Sequence, residues 1–302
     1  ITQLVVGAHG VPSGMEMNVD VASVLFPFEK GFVAGHALNQ VNNGPISRLV
    51  ASEGIGLGTT FVDSPSSSGR YTLDLTGFGA DGSNGVLIVA GGKNEANFAL
   101  SENHGDGTYT ITCHDKSTNG AGGENDPVAF VYLPFSTGGL VAGRIAEDDG
   151  AAPDVLAGTD GFTVSPLGAG RMLLRLNGVT SDESGALLLS PESGGTRNSD
   201  NIVVAEWSED LAGYVVETRD IPSMDLEGLG GEAMFSFAYI PVTPGPDVEW
   251  RPDSTVFAVL PDTQYYSQDF PPVFYSQTQW IADKADALNI DLVMHLGDLT
   301  NR

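Results

Sequence analysis

Val131-Tyr132-Leu133-Pro134-Phe135 decides the fold, because the same pattern stands at Val24-Leu25-Phe26-Pro27-Phe28 and again at Ala238-Tyr239-Ile240-Pro241-Val242. Each is an apolar strand that ends in an aromatic or aliphatic residue, Pro, then an apolar residue. The prolines stand at 27, 134 and 241, so both intervals are 107 residues. A fixed interval of this kind marks a repeat architecture. Other landmarks keep the order. Val33-Ala34-Gly35 returns as Val141-Ala142-Gly143, and Gly69-Arg70-Tyr71 as Gly170-Arg171-Met172. Gly85-Val86-Leu87-Ile88 returns as Gly185-Ala186-Leu187-Leu188, and Tyr109 with Asp115 as Tyr214 with Asp220. A repeat is therefore expected over 29–135 and another over 136–242. Ile1-Thr2-Gln3 resembles Ile111-Thr112-Cys113, so 1–28 is expected to be the tail of an incomplete repeat.

Within a copy the pattern is that of short strands. Tyr71, Leu73 and Leu75 alternate with Thr72, Asp74 and Thr76, the period of two that marks one buried face. The run Phe130 to Leu133 is denser, as in a central strand. Asp81-Gly82, Gly91-Gly92, Asp106-Gly107, Gly122-Gly123 and Gly194-Gly195 supply the turns. Five to eight strands per copy without helical periodicity predict a mainly β fold, a tandem array of β-sandwiches or barrels. A proline closing the last apolar strand suits a strand end, where no ladder donor is required.

Val242-Thr243-Pro244-Gly245-Pro246-Asp247 reads as the start of a linker, assigned to 243–254. After it the pattern changes. Thr255–Leu260 is a continuous apolar run, expected to be a strand buried on both faces. Residues Val273–Leu288 carry Phe274, Trp280, Ile281, Ala285 and Leu288 near helical spacing. Asp291–Leu296 reads as a second buried strand ended by Gly297-Asp298. A β-α-β unit implies parallel strands whose ends emerge on one side of the sheet. Asp262 and Asp298 both follow such strand ends, where α/β sheets bind ligands. Two carboxylates brought together there call for a cation, so a divalent metal is expected.

The strings Phe257-Ala258-Val259-Leu260-Pro261-Asp262-Thr263-Gln264, Gln279-Trp280-Ile281 and Val293-Met294-His295-Leu296-Gly297-Asp298 resemble the opening of a calcineurin-like metallophosphoesterase domain, over residues 255–302. That resemblance implies an α/β/β/α fold, two divalent metal ions and a phosphoester substrate. It implies that Asp262 ligates one metal and that Asp298 bridges both. Gln264 stands where the family has a histidine and would offer a carbonyl oxygen instead. His295 and Asn301 are expected behind these ligands, Asn301 in place of a usual acid. The family's Gly-Asn-His motif and downstream histidines do not occur within these residues, so the chain by itself is expected to be inactive. The tail Tyr265-Tyr266 resembles a secreted bacterial branch that carries additional β modules. This implies an extracellular or cell-surface protein whose repeats act as spacer or binding modules. The alternative is a structural or adhesive repeat protein, forming a fibre or surface layer with no catalytic role.

Composition narrows the partners. The 302 residues carry 39 Asp+Glu against 13 Lys+Arg, a net charge of -26. Such a surface repels a phosphate backbone, which excludes nucleic-acid binding through a basic face. No apolar run reaches the roughly 20 residues of a membrane helix. One cysteine, Cys113, leaves no intrachain disulfide. The loops Asp81-Gly82-Ser83-Asn84 and Asn198-Ser199-Asp200-Asn201 could hold calcium, or could simply be turns. Carbohydrate, a cell surface or another copy of the chain are the expected repeat partners. His9, His36, His104 and His114 lack metal spacing and are expected at the surface or in turns.

Overall fold

A computed structural model describes residues 24, 26, 32–39, 44–63, 69–91, 98–114, 125–146, 152–193, 201–220, 226, 233–241, 256–260, 271–288 and 290–295. The chain divides into two compact units, Ile1–Thr243 and Pro244–Arg302.

The described part of the first unit is built of β-strands and two single 3-10 turns. Eight strands come first: β1 (Val33–Asn39), β2 (Ile46–Ala51), β3 (Phe61–Asp63), β4 (Arg70–Asp74), β5 (Gly85–Gly91), β6 (Phe98–Asn103), β7 (Thr108–His114) and β8 (Val128–Pro134). Eight more follow: β9 (Val141–Ala146), β10 (Asp154–Gly158), β11 (Phe162–Gly168), β12 (Arg171–Leu176), β13 (Gly185–Ser193), β14 (Asn201–Ser208), β15 (Gly213–Asp220) and β16 (Met234–Pro241). The second set pairs as the first does. The order β2-β1-β8-β5 corresponds to β10-β9-β16-β13, and β3-β4-β7-β6 to β11-β12-β15-β14. The 3-10 turns Thr76–Phe78 and Asp182–Ser184 precede the matching strands β5 and β13.

In each set two sheets face each other across a core. Tyr71, Leu73, Tyr109 and Ile111 of one sheet meet Leu87, Val89, Phe130 and Tyr132 of the other. The second core joins Met172, Leu174, Tyr214 and Val216 to Ile145, Phe235, Phe237 and Tyr239. These residues occupy alternate positions, as the two-residue period of a strand requires.

A third core joins the two sets. Ala34, Val86, Ile88, Val131 and Leu133 bury the other face of β1, β5 and β8 together with Ala142 and Ala238 of β9 and β16. Strands β1, β8 and β5 are therefore covered on both faces. This explains why Val128–Leu133 is an almost unbroken apolar run while β4 alternates. Two further links cross the same boundary. The Val89 N–H donates to Ser190 Oγ at 3.1 Å. Strand β13 pairs parallel with β6 at Glu192–Ser101 and Ser193–Glu102, which merges two four-stranded sheets into one of eight.

The second unit contains β17 (Val256–Leu260), α1 (Pro271–Leu288) and β18 (Ile290–His295). The strands pair in parallel, with Phe257 opposite Leu292, Ala258 opposite Val293 and Leu260 opposite His295. The burial expected for β18 differs. Leu292, Val293 and Met294 are exposed, although they point alternately to both faces. Among the described residues a two-stranded sheet and a single helix supply too little surface to cover both sides.

Candidate metal centre

A parallel β-α-β unit forms here for local reasons. Val256–Leu260 and Ile290–His295 are rich in β-branched and large aliphatic residues, which favour strands. Pro271 and Pro272 open α1, where the absent N–H groups have no helical partner to lose. Within the helix Gln279 Nε2 donates to Asp283 Oδ1 at 2.7 Å, one turn on.

The register fixes where the flanking chain leaves the sheet. Leu260 and His295 are direct partners at the C-terminal ends of both strands. Asp262 lies two residues beyond Leu260 and Asp298 three beyond His295. Asp262, Gln264, Asp298 and Asn301 themselves lie outside the described residues. His295 is described only as the last residue of β18. Among the described residues no group of three or more His, Cys, Asp or Glu side chains comes together.

Of the two loops expected to be calcium sites or turns, the first is described as a turn. Asp81 Oδ1 accepts the Ser83 N–H at 2.8 Å and the Ser83 hydroxyl at 2.9 Å. Those bonds hold the exposed carboxyl below its usual range. Asn84 Nδ2 donates to the Gly79 carbonyl at 2.7 Å, and Asn84 Oδ1 accepts the Tyr132 hydroxyl at 2.5 Å. The Gly82 carbonyl accepts from Asn103 Nδ2 and Arg144 Nη1. This loop is an Asx turn tied to β6, β8 and β9. In the second loop Asn198, Ser199 and Asp200 lie outside the described residues. Asn201 begins β14 and is buried.

The outer face of sheet β11-β12-β15-β14 carries a shallow groove of about 460 Å³ bordered by Arg171, Val204, Glu206, Val215 and Glu217. Glu217 is held between two guanidiniums, Arg171 Nε at 3.0 Å and Arg219 Nη2 at 2.5 Å. With Glu206 also on the border, the two arginines balance the two glutamates, which is a local departure from the acidic surface of the chain.

Sequence reasoning misplaced one histidine. His114 is neither a surface nor a turn residue: it closes β7, is 2 % exposed, and stacks on Phe98 at 5.1 Å between centroids. Its neighbour Cys113 points into the opposite core, as strand alternation demands. Burial, then the nearby Arg70 charge, lowers the His114 pKa to about 4. His36 lies within β1, and burial with Arg48 lowers its pKa also. His104 follows β6 and bonds Thr110 Oγ1 at 2.9 Å. His9 lies outside the described residues. Sequence reasoning also missed the ion pair of Arg144 and Glu192. Its signal was faint: a glutamate following the long apolar stretch of β13, with nothing local to pair it.

No family model matches the chain, and no solved structure matches it. Over 49 residues the chain is 43% identical to "Uncharacterized protein YvnB" of Bacillus subtilis (strain 168), a stretch that covers 16% of this chain and 4% of that relative. The chain thus spans only a small part of the length of the curated relative it matches.

Proposed function

We propose that this chain is part of an extracellular metal-dependent phosphoesterase, in which residues 255–302 open a calcineurin-like α/β/β/α domain and the preceding strands form two copies of one β-sandwich module. The observation that carries the reading is the parallel register of β17 and β18, with Leu260 opposite His295. The segments bearing Asp262 and Asp298 leave the same end of the sheet, where a metal would neutralise both carboxylates. Gln264 would add a carbonyl oxygen. His295 and Asn301 would orient these ligands. The exposed Leu292, Val293 and Met294 further support it, since they suit a strand that takes a wider sheet around it.

In this reading Asp262, Gln264 and Asp298 would hold divalent metal ions, which would supply Lewis acidity toward the phosphoester and make a bound water more acidic. This chain's residues contribute the first metal-facing carboxylates. The β modules space the catalytic domain and present the arginine-bordered groove to carbohydrate or to a cell surface.

The test is hydrolysis of bis(p-nitrophenyl) phosphate by the protein that carries this chain, stripped with chelator and reloaded with Mn2+. Asp262→Asn and Asp298→Asn should each lower kcat/KM by about a hundredfold or more. Hydrolysis that survives both substitutions overturns the reading. A folded, inert protein that assembles into fibres or coats a surface would instead establish the structural role.

A further inference from the structure

Asn201 and Asp220 are direct partners across the antiparallel pair β14–β15, and Val203 faces Thr218 one step inward. All four side chains point to the core face. Val203, Ala205 and Trp207 of β14 pack on the second core, as do Tyr214 and Val216 of β15, and the two-residue period carries Asn201, Thr218 and Asp220 to the same side. Asn201 is 2 % exposed and Thr218 1 %. Asn201 Oδ1, Asn201 Nδ2, Thr218 Oγ1 and Asp220 Oδ1 are all shut off from solvent, and none has a hydrogen-bond partner among the described residues.

Four such atoms at one end of a core are costly. Each has given up its water without gaining a protein partner, and native folds keep few atoms in that condition. Their chemistry is not mixed at random. Three are oxygens of a carboxylate, an amide and a hydroxyl, the hard donors that calcium takes and that softer metals decline. Arg219, next in the chain to Asp220, extends to the other face and grips Glu217.

We infer that Asn201, Thr218 and Asp220 form a calcium site that closes the end of the second core. Asp220 supplies the charge, and Asn201 Oδ1 and Thr218 Oγ1 supply neutral oxygens. A single carboxylate with neutral ligands places the affinity in the weak range of extracellular modules, Kd of about 10⁻⁴–10⁻³ M. Among the described residues the first strand set differs at one of these positions. Cys113 stands where Thr218 does, each donating its N–H to the matching glycine carbonyl, Gly69 or Gly170. A thiol is a poor calcium ligand. The inference is independent of the phosphoesterase reading, because none of its residues lies in the second unit.

The experiment is calcium titration of the chelator-treated chain, by calorimetry and by thermal unfolding, with Asp220→Asn and Thr218→Val compared. Calcium at about a hundred times Kd should raise Tm by roughly 5–10 °C. Asp220→Asn should abolish that shift, and Thr218→Val should weaken binding about tenfold. Magnesium at the same concentration should do much less. Absence of calcium-linked stabilisation overturns the inference, as does a shift that both variants retain. Should Asp220→Asn fail to fold, the nearly isosteric Thr218→Val decides the matter.

Discussion

Arg144 holds Glu192 with two guanidinium nitrogens, Nη2 to Oε2 at 2.8 Å and Nε to Oε1 at 3.1 Å, on the face where the two strand sets meet. The pair is nearly closed to solvent, with side-chain exposures of 12% and 3%. The Ser236 hydroxyl donates to the same carboxylate, and Arg144 Nη1 reaches the Gly82 carbonyl of the first set at 3.2 Å. Every strong group in the cluster is therefore used. Removing one partner leaves the other charge buried and alone, which costs about 3–5 kcal/mol. Glu192→Ala is expected to destabilise the first unit by that amount in urea unfolding, and the double variant Arg144→Met with Glu192→Leu to recover most of it. Equal losses in the single and double variants would show that the pair itself, and not a stranded charge, carries the stability.

The shared core predicts coupled unfolding. Leu133 belongs to the first strand set and is 1 % exposed against Ala142 and Ala238 of the second. Leu133→Ala should cost about 2–5 kcal/mol through lost burial and a cavity. Trp207 reports on the second set, with its indole against Tyr214 at 5.1 Å. In a Trp250→Phe, Trp280→Phe background its fluorescence should show the same lowered midpoint that far-UV circular dichroism shows. A Trp207 midpoint that stays put would mean the sets unfold separately.

Much of this was legible in the chain, and the limits are physical. The 107-residue interval announced matching strand sets because each landmark has a packing reason. Gly85 and Gly185 recur since a Cβ at either would meet the Tyr132 or Tyr239 ring within about 2.6 Å. The β-α-β pattern was visible because two short apolar runs flank a stretch of helical spacing, although the burial expected of the second run is not found. What sequence could not reveal was how the sets join. The parallel β6–β13 pair links residues about ninety positions apart, the third core joins strands of both sets, and alternation on a strand does not name its neighbour. The misplaced His114 has the same origin. A histidine at a strand end reads as polar, and only the Phe98 ring across the pair makes it a core residue.

The paired tyrosines differ in a way that one atom exposes. The Tyr132 hydroxyl donates to Asn84 Oδ1 at 2.5 Å, whereas the Tyr239 hydroxyl is buried with no partner among the described residues. Burial pushes the Tyr132 pKa up to about 12 and raises that of Tyr239 also. Tyr132→Phe should therefore cost about 0.5–1.5 kcal/mol, and Tyr239→Phe should be neutral or stabilising. Chemical denaturation of both variants distinguishes the two cases, and equal losses would remove the distinction.

Buried His114 ties stability to pH. Its pKa falls from 6.5 in an unfolded chain to about 4 in the fold, so the unfolded state binds the proton more readily. Its contribution is intact above pH 6.5 and is lost as pH falls from there to about 4. A depression of this size corresponds to roughly 3 kcal/mol at the acid end of that window. His114→Leu keeps an apolar side chain against Phe98 and cannot titrate. Unfolding free energy measured between pH 7.5 and 4 should slope less steeply in that variant, with the difference confined to the window below pH 6.5. Parallel slopes in the two proteins would mean that His114 keeps its unfolded pKa and that its burial does not oppose protonation.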